Sequence, residues 1–368
     1  MIVAPKLTLF SEPLLLESGR TLDRFEMAYE TYGSLNRDKD NAILICHGLT
    51  ADAHAAGRHA ESESRPGWWD SAIGTGKVFD TERFFVLCSN VLGGCGGSTG
   101  PSSPDPDRGI PYGLRFPVVT VGDMVQAQVR LTERLGIQRI HTIVGGCFGG
   151  YQVMEWMRTF SHRAANAIVI SATPKTSAHT LGLWEVLRQA IMRDPDFNGG
   201  DYYGKELPRS GMGLAQMFGV MIWMSRDVMQ ARFGRKFLNE AGPSYSLEPD
   251  FEFQEFLHKV GRGAVGRFDP NSLLYLTKAM DYFDVSSVRE SLTQAFSATR
   301  CRSLLISYRS DWRYPPGEME SIRTALAENG LAVEHRVLDS DFGHGAFMYD
   351  SHGALQVISE FLASHGLK

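Results

Sequence analysis

The 368-residue sequence has no long hydrophobic run, no excess of positive charge and few cysteines. It contains no stretch of about eighteen apolar residues that could cross a bilayer, so we expect no membrane partner. Residues 1–19 lack the basic, apolar and small-residue regions of a secretory signal, and we therefore expect a cytoplasmic protein. The formal net charge of -5 provides no basic field for a phosphate backbone, which argues against a nucleic-acid partner.

The five cysteines are scattered and form no C-x-x-C pair. An odd number in this pattern fits neither a disulfide framework nor a zinc site, and no cluster of His, Cys or Asp has metal-ligand spacing. We therefore predict no metal site and no bound cofactor. Four of the cysteines are interpreted as small buried hydrophobic residues, namely Cys46, Cys88, Cys95 and Cys301.

The N-terminal half of the chain alternates strand-like and helix-like segments. Apolar and β-branched residues predict strands at 26–32, 42–46, 83–89, 140–146 and 165–172. Near-helical spacing predicts a helix over 122–137, with Asp123 in its first turn and Gly136 placed to end it. Strand, helix and strand in this order predict parallel pairing with right-handed crossovers.

The pattern changes between residues 175 and 298, where apolar residues recur at helical spacing and no convincing strand occurs. Strands are predicted again at 303–308 and 332–338, and helices at 317–329 and 353–365. We therefore interpret 1–174 and 299–368 as an α/β core and 175–298 as a helical lid. The predicted class is a mostly parallel sheet with flanking helices and a helical insertion.

The segment "TIVGGCFGGYQ" places Cys147 between glycines, after a β-rich run and before a helical pattern. This G-x-[SC]-x-G spacing is typical of a nucleophile elbow, in which a strained residue on a sharp strand-to-helix turn carries the reactive side chain. The pattern alone is weak, and a glycine-rich turn with a buried cysteine is the alternative. Cys147 is therefore a candidate catalytic nucleophile.

Two further residues occur in the chain order that this type of site requires, an acid and then a histidine. Asp311 follows one predicted strand and His344 follows the last one, so both lie in carboxyl-end loops. The backbone N–H groups of Phe148 and Leu49 are the candidate donors to a developing oxyanion. His47, in the same loop as Leu49, is interpreted as a hydrogen-bonded organiser of that loop.

The sequence is identified as a member of the homoserine O-acetyltransferase family by several long strings. They include "HGLTADAH", "NVLGGCGGSTGPSS", "DPDFNGGDYY" and "SDWRYPP", and the resemblance covers nearly the whole chain. It implies a lidded α/β-hydrolase fold and a ping-pong reaction, in which acyl-coenzyme A acylates the nucleophile and an acceptor hydroxyl then takes the acyl group. It also implies small-molecule partners and a homodimer formed through the lid helices.

The sequence departs from the family at four positions that the resemblance assigns to the site. Cys147 stands where the family has serine, and Gly345 where an aspartate holds the amino group of homoserine. Gln216 replaces an arginine for the substrate carboxylate, and Trp223 replaces a tyrosine. A buried carboxylate without its arginine loses several kcal/mol of binding. We therefore expect an acceptor other than homoserine.

Three functions are left open by the residues. The first is an acyltransferase with a Cys147–His344–Asp311 triad and a thioester donor such as acyl-coenzyme A. The second is a thioesterase or carboxylesterase on the same scaffold, and the third is a non-catalytic protein whose lid pocket only binds a ligand. An acyl-cysteine thioester is more open to attack by nucleophiles than an oxygen ester, which favours transfer to an acceptor.

Overall fold

The computed structural model describes residues 1–263, 266–287, 289 and 291–364. Within these residues the strands are β1 Lys6–Phe10, β2 Leu14–Leu15, β3 Thr21–Leu22, β4 Phe25–Tyr32, β5 Ala42–Cys46, β6 Phe85–Ser89, β7 Ile140–Gly146, β8 Ala164–Ile170, β9 Arg302–Tyr308 and β10 Val333–Leu338. The α-helices are α1 Val121–Arg134, α2 Phe148–Thr159, α3 Ala178–Met192, α4 Arg209–Trp223, α5 Arg226–Arg232, α6 Glu252–Gly263, α7 Pro270–Asp281, α8 Leu292–Ala295, α9 Pro316–Glu328, α10 Ala346–Tyr349 and α11 His352–Ala363.

Eight strands form one sheet in the order β1-β4-β6-β5-β7-β8-β9-β10. From β6 to β10 every neighbouring pair is parallel, whereas β4 runs antiparallel to both β1 and β6. The short strands β2 and β3 pair separately as an antiparallel ribbon. This arrangement confirms the predicted α/β-hydrolase class with a mostly parallel sheet.

The central strands consist almost entirely of apolar residues because helices cover both faces of the sheet. All five residues of β5, "AILIC", are buried, and so are all residues of β6. Parallel strands buried on both faces have continuous apolar runs instead of alternating ones. Continuous apolar runs of this kind predict β5 and β7, and both strands have the bounds predicted from the sequence.

Helix α1 illustrates how local sequence sets an element's ends. The Thr120 side chain accepts a hydrogen bond from the Asp123 N–H, and the Asp123 carboxylate accepts one from the Thr120 N–H. This capping box satisfies two backbone donors at the start of the helix. Gly136 follows the helix with φ of +75°, in the left-handed region that glycine adopts at little cost.

Between β8 and β9 the described residues form helices α3 to α8 and contribute no strand to the main sheet. The bounds of the lid at 174/175 and 298/299 stay a prediction. No helix in the described part of the chain is long and apolar enough to span a membrane.

The topology brings four loops to one edge of the sheet. Cys147 directly follows β7, Leu49 follows β5, Asp311 follows β9, and His344 lies beyond the end of β10. The carboxyl ends of parallel strands face the same way, which is why these four residues can meet.

Candidate active site

Cys147 lies on a strained turn between β7 and α2. Its φ and ψ angles are 56° and -121°, and its backbone N–H donates to the Ile170 carbonyl at 3.0 Å. A non-glycine residue at positive φ is uncommon and is held there only by surrounding structure. The turn therefore has the strand–turn–helix geometry of a nucleophile elbow.

The flanking glycines are required by close packing of the backbone. A Cβ on Gly149 would overlap the carbonyl oxygen of Cys46, and one on Gly145 would lie 2.6 Å from the Gly149 carbonyl carbon. Only glycine allows α2 to start this close to β5 and β7. The G-x-C-x-G spacing is thus a packing requirement of the elbow.

His344 and Asp311 form a fully buried hydrogen-bonded pair. The His344 Nδ1 lies 2.8 Å from the Asp311 Oδ2, and since a carboxylate accepts, Nδ1 carries the proton. The other carboxylate oxygen accepts the backbone N–H groups of Arg313 and Tyr314, both at 3.0 Å. The His344 Nε2 has no hydrogen-bond partner among the described residues, and it is the nitrogen left for proton transfer.

The electrostatic environment favours a thiolate on Cys147. Burial raises the pKa of this thiol, but the Arg313 guanidinium and then His344 outweigh burial and bring the pKa down to about 7. Burial lowers the pKa of His344, whereas the Asp311 carboxylate and the Cys147 thiolate raise that pKa to about 9. Cys147 and His344 can therefore form a thiolate–imidazolium pair near neutral pH.

The two predicted oxyanion donors follow the carboxyl ends of β7 and β5, with Phe148 directly after Cys147 and Leu49 three residues after Cys46. The Phe148 N–H interacts with the Cys147 sulfur and lowers the pKa of its thiol. Phe148 begins α2, where backbone N–H groups have no partner within the helix. The Leu49 N–H makes no hydrogen bond within the described ranges of the chain. Both groups are therefore available to an anionic oxygen.

His47 connects the loop after β5 to the loop after β6. Its Nε2 accepts the Val91 N–H at 3.2 Å, so Nδ1 carries the proton and donates to the Gly48 carbonyl at 2.8 Å. Burial lowers the pKa of this imidazole, which keeps it neutral. Both ring nitrogens are used in these bonds, as the interpretation of His47 as a loop organiser requires.

Trp223 and Gly345 pack against each other beside His344. The Trp223 ring lies edge-on to the His344 ring with 6.2 Å between centroids. A Cβ on Gly345 would lie 3.0 Å from the Trp223 Cε3 and 3.1 Å from the Tyr349 Cδ2. The indole and phenol rings thus occupy the space next to position 345. Gln216 lies on α4, half-buried, without a hydrogen bond to the rest of the described chain.

The lid rests directly on the loops that carry Asp311 and His344. Ser225, just after α4, donates its hydroxyl to the Asp341 carbonyl, and the Trp312 Nε1 donates to the Met224 carbonyl at 3.1 Å. A Cβ on Gly343 would lie 2.6 Å from the Ser225 N. The end of α4 therefore helps to hold the Asp311 and His344 loops in place.

Arg313 is a functional candidate that the sequence analysis missed. Its side chain is 4% exposed, and its guanidinium lies 4.6 Å from the ring centroids of both Trp184 and Tyr314. One terminal nitrogen donates to the Tyr314 hydroxyl at 2.9 Å, whereas Nε has no partner in the part of the chain that is described. No described carboxylate lies within ion-pair distance of this guanidinium. Its position in "SDWRYPP" does not indicate a functional role, because whether an arginine is buried depends on the surrounding fold.

We expect alkylation of Cys147 by iodoacetamide to rise with pH through a midpoint near 7. The thiolate is the reacting species, and the pKa of Cys147 is lowered to about 7. In His344→Ala the midpoint should move to higher pH, because His344 lowers the pKa of Cys147. Each pH unit by which the midpoint rises should slow alkylation about tenfold at pH values below it. Mass spectrometry of alkylated peptides measures both profiles. A midpoint that does not move would exclude His344 from stabilising the thiolate.

Comparisons with known proteins bear on the fold and the family of this chain. The family model described as "alpha/beta hydrolase fold" matches residues 41–351. A homoserine O-acetyltransferase from Methanosphaerula palustris is 49% identical over 350 residues, which cover 95% of this chain and 71% of the relative. A homoserine O-succinyltransferase from Halothiobacillus neapolitanus is 46% identical over 365 residues, covering 99% of this chain and 90% of that protein.

A solved structure extends the similarity to the whole architecture. The crystal structure of a homoserine O-acetyltransferase from Bacillus anthracis superposes with a TM-score of 0.92 at 30% identity. The match covers 98% of this chain and 98% of that one. The helical insertion is thus part of the shared fold.

Proposed function

Because the chain belongs to the homoserine O-acyltransferase family of α/β-hydrolase-fold acyltransferases, we propose that Cys147 carries the acyl group during transfer. The donor is an acyl-coenzyme A thioester, and the acceptor is a nucleophile other than homoserine. The observation that supports this proposal best is the strained Cys147 turn beside the buried His344–Asp311 pair. Cys147, His344 and Asp311 then act as nucleophile, acid–base and orienting group.

In the first half-reaction the Cys147 thiolate attacks the carbonyl carbon of the donor thioester. The carbonyl oxygen becomes an anion, and the N–H groups of Leu49 and Phe148 are the proposed donors to it. Collapse of this intermediate breaks the bond to the coenzyme sulfur, which leaves as a thiol after taking the proton from His344 Nε2. The products are an acyl-Cys147 thioester and free coenzyme A.

In the second half-reaction His344 acts as a base. Acylation consumes the thiolate, which is one of the two groups that raise the pKa of His344. The imidazole is then neutral more readily and can take the proton of the acceptor through Nε2. The acceptor attacks the acyl carbon, and collapse returns the electron pair to the Cys147 sulfur. Asp311 stays ionised and keeps the imidazole in the required tautomer.

Arg313 supports a donor whose acyl chain ends in a carboxylate, such as a succinyl group. No carboxylate of the described residues lies within ion-pair distance of this buried guanidinium, although Asp311 and the Cys147 thiolate act on it from farther away, and an anionic ligand would give it a direct partner. The pKa of Arg313 is raised because Tyr314, Cys147 and other neighbours outweigh burial, so its charge persists. The same guanidinium lowers the pKa of Cys147, which places its charge near the acyl group. The names of the relatives do not decide this point, because both acetyl- and succinyltransferases occur among them.

The residues at the proposed acceptor position do not suit homoserine, although the names of the relatives contain that substrate. The space beside Gly345 is filled by the rings of Trp223 and Tyr349, and neither ring supplies a negative charge for an ammonium group. Gln216 can hydrogen-bond a carboxylate but has no charge. We therefore propose an acceptor that lacks the amino-acid zwitterion, with aromatic rings lining its approach to His344.

We expect succinyl-coenzyme A to add one succinyl group to Cys147 and to support transfer to homoserine only weakly. Loss of two charged contacts, each contributing about 1.5–3 kcal/mol, should hold kcat/KM for homoserine below about 10³ M⁻¹s⁻¹. Intact-mass measurements and steady-state assays with acetyl- and succinyl-coenzyme A test both statements. A value of about 10⁴ M⁻¹s⁻¹ or more would contradict the proposed acceptor class. Fast coenzyme A release without an acceptor would indicate a hydrolase instead.

The matched gain-of-function variant has to change three positions together. Gly345→Asp by itself places its Cβ against Trp223 and Tyr349, so Trp223→Tyr should accompany it along with Gln216→Arg. Homoserine transfer should then improve about tenfold or more, whereas the variant without Trp223→Tyr should gain less. No gain in either variant would mean that these positions do not exclude homoserine.

We also propose a homodimer formed through the lid helices. Helices α3 and α4 expose the apolar side chains Leu181, Val186, Leu214 and Met221, which a second copy of the chain could cover. Burial of such side chains stabilises association by the hydrophobic effect. A monomeric mass in light scattering would contradict this part of the proposal.

A further inference from the structure

We propose that Glu30, His54 and His59 form a binding site for a divalent transition-metal ion, with zinc matching the ligands best. The spacing of His54 and His59 gave no metal signal, and the sequence analysis predicts no metal site. The structure brings both histidines to Glu30 of β4, which lies 24 residues before His54. One ligand atom from each of the three residues lies within 4.8 Å of the others.

The three side chains converge on one point. The Glu30 carboxylate is buried, and its Oε2 and Oε1 lie 2.9 Å from the His54 Nδ1 and 2.6 Å from the His59 Nε2. The two imidazole rings are 4.0 Å apart between centroids. Two imidazole nitrogens and one carboxylate are a donor set that zinc uses, with a fourth position left for a water molecule. The ion would replace the protons that now join these nitrogens to the carboxylate, and the protons would move to the other ring nitrogens or to solvent. The His59 side chain is 38% exposed, so an ion can enter from solvent.

Surrounding residues lie behind two of these ligands, His59 and Glu30, whereas the His54 Nε2 has no hydrogen-bond partner among the described residues. A metal on the His59 Nε2 requires the proton on Nδ1, and the Glu63 carboxylate lies 3.7 Å from that Nδ1. The same carboxylate accepts the His59 backbone N–H at 2.7 Å. The Tyr32 hydroxyl donates to the Glu30 Oε2 at 2.8 Å. A carboxylate behind a ligating histidine and a donor behind a ligating carboxylate are common supports of metal ligands.

The site joins a core strand to the loop that leads away from Leu49. Tyr32 also accepts the N–H groups of Ala55 and Ala56, at 2.9 and 3.1 Å, so the loop is already attached to β4 on one side. A metal held by Glu30, His54 and His59 would cross-link the two segments a second time. The expected role is stabilisation of this loop, separate from the chemistry at Cys147.

The test is zinc binding by the full chain after removal of metals with EDTA. We expect calorimetry with zinc chloride to show one ion per chain, and His54→Gln or His59→Gln to weaken binding at least tenfold. His335→Gln is the matched control, because His335 also has a carboxylate partner, Glu320, at 2.9 Å but belongs to no group of three potential metal ligands among the described residues. Its affinity for zinc should equal that of the wild type.

Each titration is repeated in the Cys147→Ala background, because the active-site thiolate is itself a zinc ligand. Circular dichroism checks that the variants fold, and Glu63→Gln, at a half-buried residue outside the core, provides a milder change that should lower affinity without disturbing the core. Cobalt(II) absorption gives a second readout of the ligands. The proposal fails if the Cys147→Ala protein takes up no zinc, or if the His54 and His59 variants bind it as tightly as His335→Gln.

Discussion

Replacing Cys147 by alanine is expected to abolish the acyl-enzyme and to lower acyl transfer by about 10⁴-fold or more. The sulfur is the atom that the proposed mechanism acylates, and no other side chain occupies the strained turn after β7. Intact-mass spectrometry after mixing with succinyl-coenzyme A measures the loss directly. Steady-state release of coenzyme A in the presence of an acceptor measures the effect on turnover.

Cys301→Ala is the matched control for this substitution. Cys301 is equally buried, and burial raises the pKa of its thiol to about 11, so it should carry no acyl group at neutral pH. It precedes β9, at the end of the sheet opposite to the site. An acyl-enzyme that persists in Cys147→Ala and disappears in Cys301→Ala would overturn the assignment of the nucleophile.

The second large effect is expected at Arg313. Arg313→Met should lower kcat/KM for succinyl-coenzyme A by about a hundredfold to a thousandfold, since a buried carboxylate without its cationic partner costs about 3–5 kcal/mol. The variant should also raise the pKa of Cys147, because Arg313 lowers it, and this change slows acylation of Cys147 by every donor to the same extent. The ratio of the succinyl to the acetyl kcat/KM cancels that shared effect and is the quantity to measure. We expect this ratio to fall by at least tenfold.

Arg163→Met is the control that distinguishes loss of a charge near the donor's acyl group from the general effect of losing a buried arginine. Arg163 is also largely buried, but it has an ion-pair partner, Glu133, at 2.9 Å. It lies in the short segment before β8, at the opposite edge of the sheet from Cys147. Its variant can lose stability, yet its donor ratio should stay at the wild-type value. An unchanged ratio in Arg313→Met would contradict a carboxylate-bearing acyl group.

Much of the core was predictable from sequence because its signals are local. The strand Ile140–Gly146, the turn at Cys147 and the helix after it follow each other along the chain, and the glycine spacing is itself a packing requirement. Asp311 could be placed because it follows β9, whose sequence is largely an apolar run, whereas His344 was placed by chain order, because β10 (VEHRVL) is half polar. Chain order and strand ends then predict that all three meet at one edge of the sheet.

The strand Lys6–Phe10 was not predicted, for a physical reason. It is a short edge strand in which Leu7 and Leu9 are exposed and only Phe10 is buried, so its sequence does not show which face meets the core. Its place in the sheet depends on antiparallel pairing with β4, and the register joins Lys6 to Tyr29. Pairing between distant segments leaves little periodic signal in either of them.

The sequence by itself determined the fold class, the family and the residues of the proposed triad, since those depend on periodicity, spacing and chain order. Only the tertiary structure decided the surroundings of these residues. It buried Arg313 with no described carboxylate within ion-pair distance, placed Trp223 against Gly345, and brought His54 and His59 to Glu30. Each of these contacts joins residues that lie on different strands, helices or loops. The free energy of burying a charge or filling a space depends on these spatial neighbours and not on position along the chain.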